Sequence, residues 1–227
     1  MIRVDLHSHS EYSKDSRSSL SEIVKAVPRS GLHGLALTDH DELEGALELR
    51  RRAPFLVIPG EEIKTASGEI IGLFLNERIP PGLSPVETIE RIREQGGVVY
   101  VPHPFDRVRG SRITRDQLDE IVDRIDLLEV FNARNALPSF NRRAREYAQE
   151  RGLRVGAGSD AHSCSEYGTA YVELPAFDNA KEFRDALPYG RWRGRLSSPA
   201  VHVRTRIDVL KKRREGAPRE GDPLRAG

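Results

Sequence analysis

Five of the chain's seven histidines fall in short polar clusters, most of them with acids alongside. These clusters are Asp5-Leu6-His7-Ser8-His9, Thr38-Asp39-His40-Asp41, Gly60-Glu61-Glu62, Pro102-His103-Pro104 and Gly158-Ser159-Asp160-Ala161-His162. Imidazole nitrogen and carboxylate oxygen together form a donor set for divalent metal ions. In an extended segment, side chains two apart point the same way. His7 and His9 can therefore aim at one point, and Asp160 and His162 can converge likewise. Taken singly, each cluster has an ordinary reading as a capping loop, a turn or a satisfied core histidine. Their co-occurrence, each after an apolar run, points to a metal site. His33 and His202 stand apart and read as structural or surface residues. The single cysteine, Cys164, excludes an intramolecular disulfide framework and a cysteine-rich zinc module, and nothing around it suggests a nucleophile.

The elements that must position these clusters are short. Apolar runs at residues 2–6, 34–37, 55–58, 70–75, 98–101, 125–131 and 154–157 predict strands, and the five clusters follow five of them. Helices are predicted from Ser19, which opens a capping box with Glu22, and over 41–52, where Asp41 can cap. A third starts at Ser84-Pro85-Val86-Glu87 and ends at Gly96-Gly97, with others at 114–124, 138–151 and 178–187 and a late strand at 201–203. This alternation predicts an α/β fold with a largely parallel sheet. In such folds sites assemble at the carboxyl ends of the strands. The length is at the short end for a full eight-unit barrel of about 250 residues, so an abbreviated or distorted barrel is as compatible.

Composition narrows the class. The chain has 227 residues, 37% apolar and 31% charged, with a net charge of +1. That is too apolar for a disordered chain and too charged for a membrane protein. There is no run of about 18 apolar residues and no apolar signal core, so neither a membrane partner nor a spanning helix is expected, and a cytoplasmic location is. The near-zero charge conceals a split. Residues 204–227 carry eight basic and four acidic side chains, leaving residues 1–203 mildly acidic. We therefore read residues 1–203 as the functional domain and 204–227 as a basic, Pro/Gly-rich tail, partly disordered. Lys211-Lys212-Arg213-Arg214 could touch nucleic acid, but the run is short and lacks aromatic neighbours, so a solvated helix end is favoured.

The ordered set of clusters resembles the PHP superfamily, the polymerase and histidinol phosphatase group of metal-dependent phosphoesterases, over about residues 1–200. The resemblance implies a distorted (β/α)7 TIM-like barrel with two or three divalent ions at the carboxyl ends of its strands. It implies that His7, His9 and Asp160 bind a first metal, that Glu62 bridges to a second held by His103, and that Asp15, His40 and His162 bind a third. Glu61 would face the opposite side as a structural acid. Many relatives carry a histidine about seven residues after the bridging glutamate, where this chain has Glu69. A carboxylate there can still bind, shifting preference toward manganese or magnesium without excluding zinc or iron, or it can leave the second site weak.

The implied activity is hydrolysis of a phosphate ester by attack of a metal-bound hydroxide on phosphorus. Glu62, His103 and Asp160 would carry the catalysis, with Asp160 placed to take or deliver a proton. Arg134, after the strand at 125–131, and Arg107 or Arg109, after His103, are the candidate phosphate contacts, against an ordinary reading as solvated surface. The chain is far too short to contain a polymerase. A stand-alone phosphoesterase acting on a small phosphorylated metabolite or nucleotide is the leading expectation. A nuclease on short oligonucleotides and a non-catalytic metal-binding module are the alternatives.

Overall fold

Strand and helix alternate as the apolar runs require, in a computed structural model that describes residues 1–210 except 111, 199, 202–204, 206 and 208. In chain order the elements are β1 (Ile2–Asp5), α1 (Leu20–Arg29), β2 (Gly34–His40), α2 (Glu44–Arg52), β3 (Leu56–Thr65), β4 (Gly68–Leu73), α3 (Pro85–Glu94) and β5 (Val98–Val101). They continue with α4 (Arg115–Ile121), β6 (Leu127–Asn132), α5 (Pro138–Arg151), β7 (Val155–Gly158), β8 (Ala170–Leu174), α6 (Ala180–Ala186) and β9 (Arg191–Gly194). Ser19 with Glu22 and Ser84 with Glu87 form the capping boxes of α1 and α3. Thr114 with Gln117 forms a third, on α4.

The strands make one sheet in the order β7-β6-β5-β4-β3-β2-β1-β8-β9. Neighbours from β1 to β3 and from β5 to β7 run parallel, and β4 is antiparallel to both β3 and β5. The sheet then nearly closes on itself. Past the end of β1, Leu6 N–H donates to Ala157 O at 3.2 Å, Asp160 N–H to His7 O at 2.7 Å and His9 N–H to Ala161 O at 2.9 Å. Strands β1 to β7 thus form a ring joined at its carboxyl end. The amino-terminal half of β1 turns instead to β8, with Ile2 opposite Leu174 and Val4 opposite Val172. This is the distorted seven-stranded barrel that the resemblance implies.

Alternate strand residues fall in two cores, as a period of two demands. Val4, Leu6, Ala36, Ile58, Ile71, Leu73, Tyr100 and Leu127 pack together with Phe177 and Phe183. Leu35, Leu37, Val57, Val99, Leu128 and Val130 pack against Ile23, Leu49, Ile89, Ile92, Leu118 and Tyr147 of the helices. Each valine, leucine, isoleucine or phenylalanine among them contributes about 1.5–3 kcal/mol on burial.

Four expectations need correction. Helix α2 starts at Glu44, behind Leu43, which makes no side-chain cap. Asp41 adopts φ 53° and its carboxylate accepts the Lys64 N–H at 2.8 Å, tying the end of β2 to β3 instead of capping. The clusters at 38–40 and 60–62 lie inside β2 and β3 rather than after them, because pairing with β4 carries β3 on to Thr65. Val201 is helical, not part of a late strand, while residues 202 and 203 lie outside the described residues, as does 211–227 with most of the predicted tail. Strands β8 and β9 gave no apolar run to read, because β9 is partly exposed and β8 alternates. No helix among the described residues is long and apolar enough to cross a membrane.

Candidate metal centre

The sequence builds the centre where β1 is gripped between β2 and β7. His7 and His9 lie on one side of the extended chain, while Ser8 between them turns away and donates to Ala36 O at 2.7 Å. The acids of the first two clusters that do not face the centre act as clamps. Asp5 accepts His7 N–H at 3.2 Å, Ser159 N–H at 2.9 Å and the Ser159 hydroxyl. Burial pushes the Asp5 carboxyl up to about 7 against these hydrogen bonds. Asp39 accepts Ser10 N–H at 2.7 Å and the Ser10 hydroxyl at 2.6 Å, fixing the loop after His9. Asp41, His103 and Asp160 have positive φ (53°, 27° and 53°) although none is glycine. Such backbone is uncommon for non-glycine residues and concentrates at functional sites.

The five histidines and their acids meet at one place. His7 Nε2 lies 3.2 Å from His9 Nε2, 3.3 Å from Glu62 Oε2 and 3.7 Å from Asp160 Oδ1. His9 Nε2 lies 3.2 Å from Asp160 Oδ1. The Glu62 carboxylate reaches two ways, Oε2 to His40 Nδ1 at 3.1 Å and Oε1 to His103 Nε2 at 3.0 Å. Asp15 Oδ2 lies 3.3 Å from His162 Nε2 and 3.6 Å from His40 Nε2. Glu69 Oε2 is 3.8 Å from His103 Nε2. Among the described residues, four sets of donor atoms are near enough together to share an ion: His7, His9 and Asp160; His7, Glu62 and His103; His40, Glu62 and Glu69; and His9, His40 and His162. Glu61 faces elsewhere, accepting the Ile79 N–H at 2.9 Å.

Electrostatics make the centre strongly anionic at its carboxylates. Burial works against the charged form of Glu62, yet His7, His40 and His103 hold it well below the usual carboxylate range. Asp160 is likewise held down, against burial, by Arg109 and His7. Burial disfavours protonated His9, and with His162 and His40 beside it the ring is pushed down to about 3, leaving it a neutral donor. Burial also opposes charge on His7, but Glu62, Asp160 and Glu129 outweigh it and hold that ring well above its ordinary value. Among the described residues, Asp15 Oδ1, Asp160 Oδ1 and His103 Nδ1 are buried with no hydrogen-bond partner. Unsatisfied buried oxygens beside neutral imidazole, in an N/O donor set, fit a divalent cation.

Above the centre lies a cavity of about 360 Å³ lined by Asp15, His40, Glu69 and His162, by the cations Lys14, Lys64, Arg109 and Arg134, and by the carboxylates Asp41 and Asp106. Arg109 pairs with Asp160, and with Asp106 at 3.4 Å. Arg134 is buried against Glu166 at 3.2 Å and donates to the Thr205 hydroxyl at 2.8 Å. Arg107 does not join them. It lines a second cavity on the other side of the same loop, with Phe105, Arg115 and Tyr147. Sequence reasoning missed Lys14, Lys64 and Glu129. Nothing marks the lysines, but Glu129 is the one charged residue of a strand that is apolar up to Asn132, and a charge in such a run needs a partner.

A family profile described as PHP domain matches residues 5–74, and one described as PHP-associated matches residues 138–191. An uncharacterized protein of Methanocaldococcus jannaschii is 38% identical over 176 residues, which is 76% of this chain and 70% of that protein. PsfC from Pseudomonas syringae superposes with a TM-score of 0.69 at 20% identity, covering 93% of this chain and 99% of PsfC. A two-domain protein from Bacteroides vulgatus, containing a predicted PHP-like metal-dependent phosphoesterase, superposes with a TM-score of 0.67 at 19% identity, covering 93% of this chain and 69% of that one. At these identities the two solved structures speak for the fold.

Proposed function

Because this chain belongs to the PHP superfamily, a family of metal-dependent hydrolases, we propose that it hydrolyses a phosphate ester of a small metabolite or nucleotide. One observation carries the reading: side chains able to hold metal floor a cavity whose walls bring in Lys14, Lys64, Arg109 and Arg134. A floor of imidazole and carboxylate under four cations suits an anionic oxygen cluster on a metal-bound substrate. A volume of about 360 Å³ suits a small molecule.

In this reading His7, His9 and Asp160 hold one ion, Glu62 and His103 with Glu69 a second, and Asp15, His40 and His162 a third, with Glu62 shared. Divalent ions there, of manganese, magnesium, zinc or iron, would polarise the phosphoryl oxygens and acidify water. The oxygen of Glu69 favours the harder ions among them. The chain's own groups do the rest. Arg109 and the two lysines bind non-bridging oxygens and offset charge as it develops. Asp160, kept ionised by Arg109 and His7, is the carboxylate placed beside the attacking water. Arg134, locked to Glu166, presents a fixed guanidinium at the cavity wall. The oligonucleotide alternative rests on residues 211–214, outside the described residues.

The test is phosphate release from an aryl phosphate and a panel of metabolites, nucleotides and oligonucleotides with each metal in turn. We expect manganese-dependent turnover, its loss in His9→Ala, and a KM about tenfold higher in Arg109→Ala, in line with a lost charge-assisted contact of about 1.5 kcal/mol. No metal-dependent turnover on any monoester or diester overturns the proposal.

A further inference from the structure

Glu129, in the middle of β6, is 1% exposed, yet its carboxylate joins two of the candidate ligands. Oε1 lies 3.2 Å from His7 Nδ1 and accepts the Tyr100 hydroxyl at 3.1 Å. Oε2 accepts the backbone N–H of His103 at 2.7 Å and the Asn132 side-chain amide at 3.0 Å. An ionised carboxylate only accepts hydrogen bonds. Opposite it, His7 Nδ1 must keep its hydrogen, so Nε2 is the nitrogen that can give up a proton for an arriving metal. Nε2 is the atom that faces His9, Glu62 and Asp160. The second oxygen holds His103 in a left-handed backbone, φ 27°, that a non-glycine residue keeps only when its surroundings over-determine it. His103 Nε2 then meets the other oxygen of Glu62.

We propose that Glu129 is a positioning residue that presets His7 and His103, one from each of two neighbouring metal sites, as ligands without itself touching metal. This rests on the metal-dependent reading of the centre. Glutamine separates positioning from space-filling. Its carboxamide has one acceptor and one donor end. With the oxygen toward His103 and Asn132, the amide N–H faces His7 Nδ1, and Tyr100 can rotate to accept. Every hydrogen bond is kept if His7 moves its hydrogen to Nε2, but the ligand atom is then blocked. The reverse orientation sets two donors against two donors.

The experiment is titration of chelated, dialysed protein with manganese by calorimetry, alongside thermal melts of the metal-free forms. Glu129→Gln is expected to weaken manganese binding 10–100-fold, the usual effect of losing a ligand-orienting partner, with a metal-free melt close to the parent's. Tyr100→Phe removes a partner of the same oxygen without touching either histidine, and its manganese affinity should stay within twofold. Glu129→Asp keeps an acceptor-only carboxylate although it fills the space less well, so it should bind manganese more tightly than Glu129→Gln. Equal affinity for parent and Glu129→Gln, or tighter binding by Glu129→Gln than by Glu129→Asp, overturns the proposal. A parent that binds no manganese, zinc, iron or magnesium overturns the reading of the centre itself and this proposal with it, a result distinct from the other two.

Discussion

Alanine at Gly158 strikes the seam that closes the barrel at the candidate centre. Gly158 has no positive φ, so alanine meets no backbone obstacle there and only space decides. A Cβ at this position would stand 2.3 Å from His7 Cβ, 2.9 Å from Glu129 Oε1 and 3.0 Å from His7 N, where ordinary contact begins near 3.4 Å. These neighbours are backbone, the first side-chain carbon and a hydrogen-bonded carboxylate, so none can swing aside. Strand β7 must instead retreat from β1 by more than 1 Å, opening the hydrogen bonds between Leu6 and Ala157 and between His7 and Asp160. Overpacking costs about 1–3 kcal/mol and two hydrogen bonds about 1 kcal/mol each, so the expected loss is roughly 3–5 kcal/mol. At about 2–4 °C per kcal/mol for a chain of this size, the melting temperature should fall by roughly 6–20 °C. The assay is circular dichroism melting of metal-free protein, with Gly110→Ala as control, since a Cβ there meets nothing within 4 Å. Should Gly158→Ala melt within 2 °C of its parent, the tight junction of β1 with β7 is refuted.

Two further outcomes follow from the centre and its surroundings. Adding manganese at about 100 times its dissociation constant should stabilise the folded chain by about 2.7 kcal/mol, read as a rise in melting temperature that chelator reverses; no rise with any of manganese, magnesium, zinc or iron would contradict a preformed site. Burial raises the Glu61 carboxyl from 4.5 to about 7 despite the Ile79 N–H that it accepts. A raised folded value means that stability is full below pH 4.5 and is lost as pH climbs through about 7, by roughly 3 kcal/mol in all. Glu61→Gln should therefore gain on the parent between pH 5 and pH 8 in urea unfolding, and an unchanged gap would disprove the assignment.

Local chemistry made much of this legible. The apolar runs marked all seven barrel strands, because buried strands must be apolar whatever their neighbours. The capping boxes at Ser19 and Ser84 marked two helix starts, because a cap satisfies its own first turn. Asp41 misled for the same reason: it has a cap's chemistry, but a strand 23 residues away claims its carboxylate. Strand β9 was invisible because its stability comes from pairing with β8 and from Trp192 stacked on Phe131, not from its own composition.

By itself the sequence determined the inventory of the centre: which nitrogens and oxygens are on offer, and that they cluster after or within strands. Residue type is local, and so is the alternation that turns His7 and His9 to one side. Only the tertiary structure decided which donors meet. It laid β7 against β1 across more than 150 residues, and that brought Asp160 to His7. It turned β4 antiparallel, which set Glu69 beside His103. It divided one arginine-rich loop between two cavities, so that Arg109 faces the centre and Arg107 does not. It also placed Glu129 behind two histidines at once. The physical reason is common to all four. Strand order and barrel closure are set by long-range packing and hydrogen bonding, and no residue carries that information in its own propensity.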